Sequence, residues 1–277
     1  PTIVNVEALA FNLSAVAAAG GDDAQTFDVA VTNISGASSM SFDVSSVGSA
    51  VTKLAVDDVK SGAVINSSDD FTTITVTSVD NANYTVNATA ATATTAIDFT
   101  DAGTTAHDVT VASTGALTLE SVAADGDLVI TAAGDMDVEA ADAAETMAAT
   151  STAGSIGITS MNGVETLTLT AKDEVTVAEV GAATSVTVSA MGNSDVTGGG
   201  TTSTLAAAAA TDITISGNGG AIKVDATRAD AMDTVTLTGG YSLAIVSEVA
   251  DSTRVVVVDS TTAGTTPLVL DDDDAGV

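Results

Sequence analysis

"GDLVITAAGDMDVEAAD", residues 126–142, says nearly the same phrase twice. Each half opens on Gly-Asp, continues with apolar residues at alternate positions, and ends in small residues before the next acid. Alternation with a period of two is the mark of a strand with one buried face. Gly-Asp pairs suit corners, where the backbone turns through φ > 0 or an Asx hydrogen bond. The repeat therefore reads as two sides of a coil rather than as a site of chemistry.

Outward from this stretch the rhythm persists. One series of apolar anchors runs Leu117, Met136, Ile156, Val175, Val196, Ile215, Val235 and Val255, in steps of 19 to 21 residues. A second, interleaved series runs Leu128, Met147, Leu167, Val186, Leu205, Val224 and Leu243, in steps of 19 or 20. A period near twenty with two strands per period is what a β-solenoid needs, each coil stacking its apolar pair on the last. Residues 97–260 are thus expected to form a β-solenoid with coils of about twenty residues. Two stretches disturb the pattern: 139–150 and 204–212 have helix-forming composition.

Composition fixes the class. The chain of 277 residues is 45% hydrophobic but only 3% aromatic, and its bulk is Ala, Val, Thr, Ser, Asp and Gly. β-Branched residues favour strands and the hydrophobic content excludes a disordered chain, so an all-β fold follows. All five Phe residues (Phe11, Phe27, Phe42, Phe71, Phe99) lie in the first 99 positions. A core containing rings is thicker than one of stacked aliphatics. Residues 1–96, with six short alternating segments separated by turn chemistry such as "AAGGDD" and "NSSDD", are therefore expected to form a β-sandwich-like domain. Residues 261–277, ending in "DDDDAGV", read as an acidic tail. The alternative architecture is two or more β-sandwich domains.

Charge excludes several functions. With 37 acidic and 6 basic residues the formal net charge is −31. This balance argues against nucleic acid and anionic membrane surfaces as partners, since both call for clustered Lys and Arg. No apolar run approaches the roughly 20 residues of a membrane-spanning helix. Cysteine is absent, so neither disulfides nor thiol chemistry contribute. Pro1 with no signal segment after it suggests a chain that lost its initiator Met, or a matured fragment.

No catalytic constellation emerges. His107 is the one histidine and stands without partners for a zinc set or a nucleophilic triad. Paired carboxylates could in principle flank a glycosidic bond, but Trp is absent and cations are few. The chain is expected not to be an enzyme. The acids suit calcium better, because hard oxygen ligands hold Ca²⁺ and divalent ions would relieve the negative charge. Asp57, Asp58, Asp69, Asp70, Asp125, Asp127, Asp135 and Asp137 are the candidate ligands, with calcium the only cofactor suggested. Asn-x-Ser/Thr sequons at Asn12, Asn33, Asn66, Asn83 and Asn87 all fall in the first region.

"MNGVETLTLTAKDEVTV", residues 161–177, resembles phrases of proteobacterial surface-layer proteins exported by type I secretion. "GDLVITAAGDMDV" resembles the coils of filamentous-haemagglutinin-type solenoids. The calcium-binding nonapeptides of the surface-layer family are missing here. The resemblance implies a secreted β-solenoid at an outer surface. The expected function is a structural protein that self-assembles into an extracellular lattice or filament, its partner a second copy, with the N-terminal strand "PTIVNVEALAFNL" available for exchange. A virion structural protein (capsid decoration or fibre) and an adhesin or carbohydrate-binding module are the alternatives, the first placing it on a virion surface.

Overall fold

The computed structural model describes residues 3–4, 7–15, 25–30, 34–35, 39–46, 52–67, 73–78, 83–88, 95–101, 108–122, 124–141, 144–161, 163–178, 183–190, 194–197, 212–217, 221–225, 234–238, 242–246, 254–258 and 269–271. Among these the chain is all-β, without a helix, and forms a β-solenoid. No helix among them is long and apolar enough to cross a membrane. Two compact units divide the chain, Pro1–Gly134 and Asp135–Val277.

The first unit holds β1 (Ile3–Val4), β2 (Ala8–Ala15), β3 (Gln25–Ala30), β4 (Ile34–Ser35), β5 (Ser39–Ser46), β6 (Thr52–Val59) and β7 (Ala63–Ser67). It continues with β8 (Thr73–Ser78), β9 (Tyr84–Ala88), β10 (Thr95–Asp101), β11 (Val109–Ser113), β12 (Leu117–Val122) and β13 (Asp127–Ala132). Strands β2-β5-β7-β9-β11-β13 make one ladder and β3-β6-β8-β10-β12 another. From β5 onward successive strands alternate between the ladders, so each coil contributes one strand to each. The pairings within both ladders are parallel.

The β-sandwich expected over residues 1–96 is not confirmed. Sandwich strands joined by short turns pair antiparallel with their sequence neighbours. Here β7 pairs with β9, residue Ile65 beside Val86, while β8 joins the other ladder. Parallel neighbours need a full crossover between them, which is what a coil supplies.

The second unit holds β14 (Met136–Val138), β15 (Thr146–Ser151), β16 (Ile156–Ile158), β17 (Thr166–Ala171), β18 (Val175–Val177), β19 (Ser185–Ala190) and β20 (Ser194–Thr197). It ends with β21 (Asp212–Gly217), β22 (Ala221–Asp225), β23 (Thr234–Thr238), β24 (Ser242–Val246), β25 (Arg254–Val258) and β26 (Val269–Asp271). Odd-numbered strands from β15 to β25 form one ladder and even-numbered strands from β14 to β26 the other. The helix-forming composition of 139–150 is overridden: residues 146–150 belong to β15, whose alternate side chains must fill the coil interior. The stretch 204–212 lies outside the described residues except for Asp212, which opens β21.

Alternation becomes columns. Met147, Leu167 and Val186 stand in register, as do Ala149, Leu169 and Val188, and all six are buried. On the facing ladder Met136, Ile156 and Val175 form one buried column and Val138, Ile158 and Val177 another. In the first unit Ile65, Val86, Val111 and Ile130 do the same. Each buried Val, Leu, Ile or Met in these columns contributes roughly 1.5–3 kcal/mol. Corners are closed by small or slender residues: Ala144, Val164 and Ala183 are buried at matching places on successive coils.

The two anchor series hold only for part of their length. Val196 pairs with Val177, not Val175, and Ile215 lies on the other ladder beside Val188. In the second series Val224 and Leu243 likewise belong to the even-numbered ladder, while Leu205 is outside the described residues. The cause is a long coil. Val186 is followed in its column by Ile213, 27 positions on rather than 19 or 20, so a fixed step walks from one ladder to the other.

Candidate functional site

Three kinds of surface position follow from this construction: corners, where strands begin and end, and the two outward faces. At the corners, acids and amides cap the next rung. In the first unit Asn83 and Asp108 stand just before β9 and β11, and Asp127 opens β13. The Asp108 amide donates to Asn83 Oδ1 at 3.0 Å, and the Asp127 amide to Asp108 Oδ1 at 3.0 Å. Asn83 Nδ2 also donates to Asp108 Oδ2 at 3.0 Å. In the second unit the Ser155 amide donates to Asp135 Oδ1 at 2.9 Å, and the Glu174 amide to Ser155 Oγ at 3.3 Å. A strand's first N–H needs an acceptor, and a short polar side chain one rung away supplies it.

Of the acids expected to bind calcium, this gives one, Asp135, a structural role at its carboxylate. The Asp135 carboxylate accepts a backbone hydrogen bond, whereas Asp127 donates its own amide to Asp108, and both are exposed. Asp137 is exposed on β14, its Oδ1 3.5 Å from where a Cβ on Gly157 would stand. Asp125 is half-buried in the turn before β13, and Asp57 half-buried on β6. Asp58 lies on β6, in its backbone course only. Asp69, Asp70 and His107 fall outside the described residues. Among the described residues no group of three or more His, Cys, Asp or Glu could hold a metal ion.

The sequons meet a similar fate. Asn66 Nδ2 donates to Ser39 Oγ at 3.1 Å and to the Met40 carbonyl at 3.3 Å. Asn87 Nδ2 donates to Asn66 Oδ1 at 2.9 Å. These amides run from rung to rung as an asparagine ladder on the outside of β5, β7 and β9. A glycan on either nitrogen would displace those bonds. Asn12 is exposed on β2, and Asn33 lies outside the described residues.

The two outward faces of the second unit differ. Along the middle of the odd-numbered ladder the register column reads Ala148, Thr168, Thr187, Thr214, Thr236 and Val256. Thr168 and Thr187 are exposed, Thr214 and Thr236 half-buried. The flanking column on one side reads Thr150, Thr170, Ser189, Ser216 and Thr238. The other reads Thr146, Thr166, Ser185, Asp212 and Thr234. On the even-numbered ladder the equivalent middle column is Asp137, Gly157, Thr176, Asp195, Lys223 and Ala244. Over β15, β17 and β19 one face is thus a hydroxyl array interrupted at Ala148, with Asp212 exposed at the start of β21, while the other carries Asp137, Gly157 and Thr176 on β14, β16 and β18. Reasoning from acid pairs overlooked this array, although its signal is plain in "TLTLTA", "SVTVSA", "DITISG" and "TVTLTG".

No protein-family model, curated protein or solved structure matches the chain.

Proposed function

We propose that this chain is a non-enzymatic structural protein that self-assembles into an extracellular surface lattice or filament. The observation that carries this reading is a parallel ladder in the first unit that ends in an outermost strand. Among the described residues β2 has one ladder neighbour, β5. A strand in that position presents backbone N–H and C=O groups at the spacing a further parallel strand requires. Aliphatic columns make such a coil stiff, and a stiff unit with pairing-competent ends is a building part.

Residues 8–15 are already paired with β5 in their own chain. A second copy would therefore add its strand against β2, or exchange residues 1–13 with it. Calcium would act between copies, bridging the exposed corner carboxylates and offsetting the −31 net charge.

Electron microscopy of the purified chain with calcium and with a chelator tests the reading. Ordered filaments or sheets support it; monomers at every concentration, with and without calcium, overturn it. Deleting residues 1–13 then locates the contact: loss of polymers with a folded monomer assigns it to the N-terminal edge, and normal polymers move it elsewhere.

A further inference from the structure

We infer that the hydroxyl face of the β15-β17-β19-β21-β23 ladder binds ordered water as a lattice, that is, the surface of an ice crystal. This rests on the register of the second unit and not on self-assembly.

The two ladders of that unit come from the same coils, so strand preference for threonine acts on both alike. Only one has four threonines in unbroken register, Thr168, Thr187, Thr214 and Thr236. The long coil between β20 and β21 leaves that column intact: Thr187 still stands beside Thr214, 27 positions on. In a chain with 37 acids, the nine outward positions of β15, β17 and β19 carry none. They are Ser or Thr except Ala148. Apart from Asp212 at the edge of β21, this face is uniform and periodic, and it fits a ligand with the same properties.

The repeats agree. Parallel rungs stand about 4.8 Å apart, and outward side chains along a strand about 6.6 Å apart. Water oxygens joined tetrahedrally by O–H···O bonds of about 2.8 Å place second neighbours about 4.5 Å apart and repeat at about 7.4 Å along the six-fold axis. Both spacings match to about a tenth, near enough for the three positions across β15, β17 and β19, with the central column continuing through Thr214 and Thr236. Each threonine offers a hydroxyl that donates and accepts, beside a methyl group. Branching at Cβ restricts χ1, so holding these groups in place costs little entropy. Crystalline polysaccharide fits less well, since the chain has no Trp and two Tyr with which to stack on sugar rings.

The experiment grows ice slowly in a solution of the full chain and measures how much protein the ice takes up, together with its inhibition of ice recrystallisation. Thr168→Tyr and Thr187→Tyr place bulk on the exposed face; Thr176→Tyr does the same on the other ladder. Thr187→Ala, a smaller change, serves should the tyrosines unfold the coil, which circular dichroism would reveal. Uptake by the wild type and Thr176→Tyr, lost in the folded Thr168 and Thr187 variants, is the expected result. Exclusion of the wild type from ice, or equal behaviour of all folded variants, overturns the inference. So does a sedimentation change in the Thr168 and Thr187 variants alone, which would give the face to a second copy.

Discussion

Phe11 and Phe42 stack with ring centroids 4.9 Å apart and planes 5° from parallel. They are also direct register partners on β2 and β5. A free aromatic pair prefers an offset or edge-to-face arrangement. Here in-register parallel strands set neighbouring side chains about 4.8 Å apart and impose the stacked geometry. Ring stacking is therefore a consequence of the coil and a local test of it.

Phe42 is 1% exposed while Phe11 is half-buried. Phe42→Ala should cost about 3–5 kcal/mol in a chemical denaturation measurement, the range for a buried ring. Phe11→Ala should cost distinctly less. Equal losses would mean that the two rings share one environment, contrary to the columns.

Ser67 has 4% exposure and its Oγ finds no hydrogen-bond partner. It stands in a column between Phe42 and Ala88. Ser67→Ala removes a buried hydroxyl that gains nothing from its surroundings, so it should stabilise the protein by about 1 kcal/mol. A midpoint that falls in thermal or denaturant melts would show that the hydroxyl is bonded in solution.

Three glycines separate backbone strain from crowding. Gly62 has φ = +82° with nothing within 4 Å of an added Cβ, in a turn where the Ala63 amide donates to the Lys60 carbonyl at 3.2 Å. A Cβ at Gly134 would lie 2.9 Å from the Ala116 backbone nitrogen, against a contact of 3.5 Å at Gly157. Gly62→Ala should cost roughly 1–2 kcal/mol from left-handed strain alone. Gly134→Ala should cost at least as much because backbone must move, and Gly157→Ala the least of the three. Denaturation midpoints in any other order would show that the turn or corner relaxes.

How far the sequence shows this fold depends on coil length. Between residues 136 and 196 the coils are nearly equal, and the period near twenty exposes them. In the first unit the column steps from Leu9 to Met40, Ile65, Val86 and Val111, at intervals of 31, 25, 21 and 25. Unequal corners erase the period while leaving strand pairing intact, so the sequence of that region reads as separate sandwich strands. The phenylalanines point the same way, since stacking in a column is invisible without register. The same holds for Asp108 and Asp135. Their acidity is legible, but the amide each one caps belongs to a residue 19 or 20 positions away.

Glu145 and Glu165, both exposed, occupy the same corner on successive rungs, with the Glu165 amide donating to the Glu145 carbonyl at 2.9 Å. Like charges one rung apart repel, and salt screens such exposed charges within a Debye length of about 10 Å at 0.1 M. The melting temperature should therefore rise with sodium chloride. A further rise with calcium, measured at matched ionic strength and absent with magnesium, would reveal a calcium site beyond screening. Equal effects of the two ions would confine the cations to screening.

Asn66 and Asn87 offer a cleaner measure of rung-to-rung bonding. Asn66 Oδ1 accepts from Asn87 Nδ2 while Asn66 Nδ2 donates to Ser39 Oγ and the Met40 carbonyl, so one amide links three rungs. Asn66→Ala should cost more than Asn87→Ala, because it removes an acceptor and both of those donations. The double variant should cost less than the sum of the two by about 0.5–1.5 kcal/mol, the net worth of the bond they share. Asn66→Asp keeps the acceptor for Asn87 but turns the other donations into repulsion against the Met40 carbonyl, so it should destabilise at neutral pH. Additive single losses in this cycle would mean that the amides bond to water, leaving the coil held by its aliphatic columns alone.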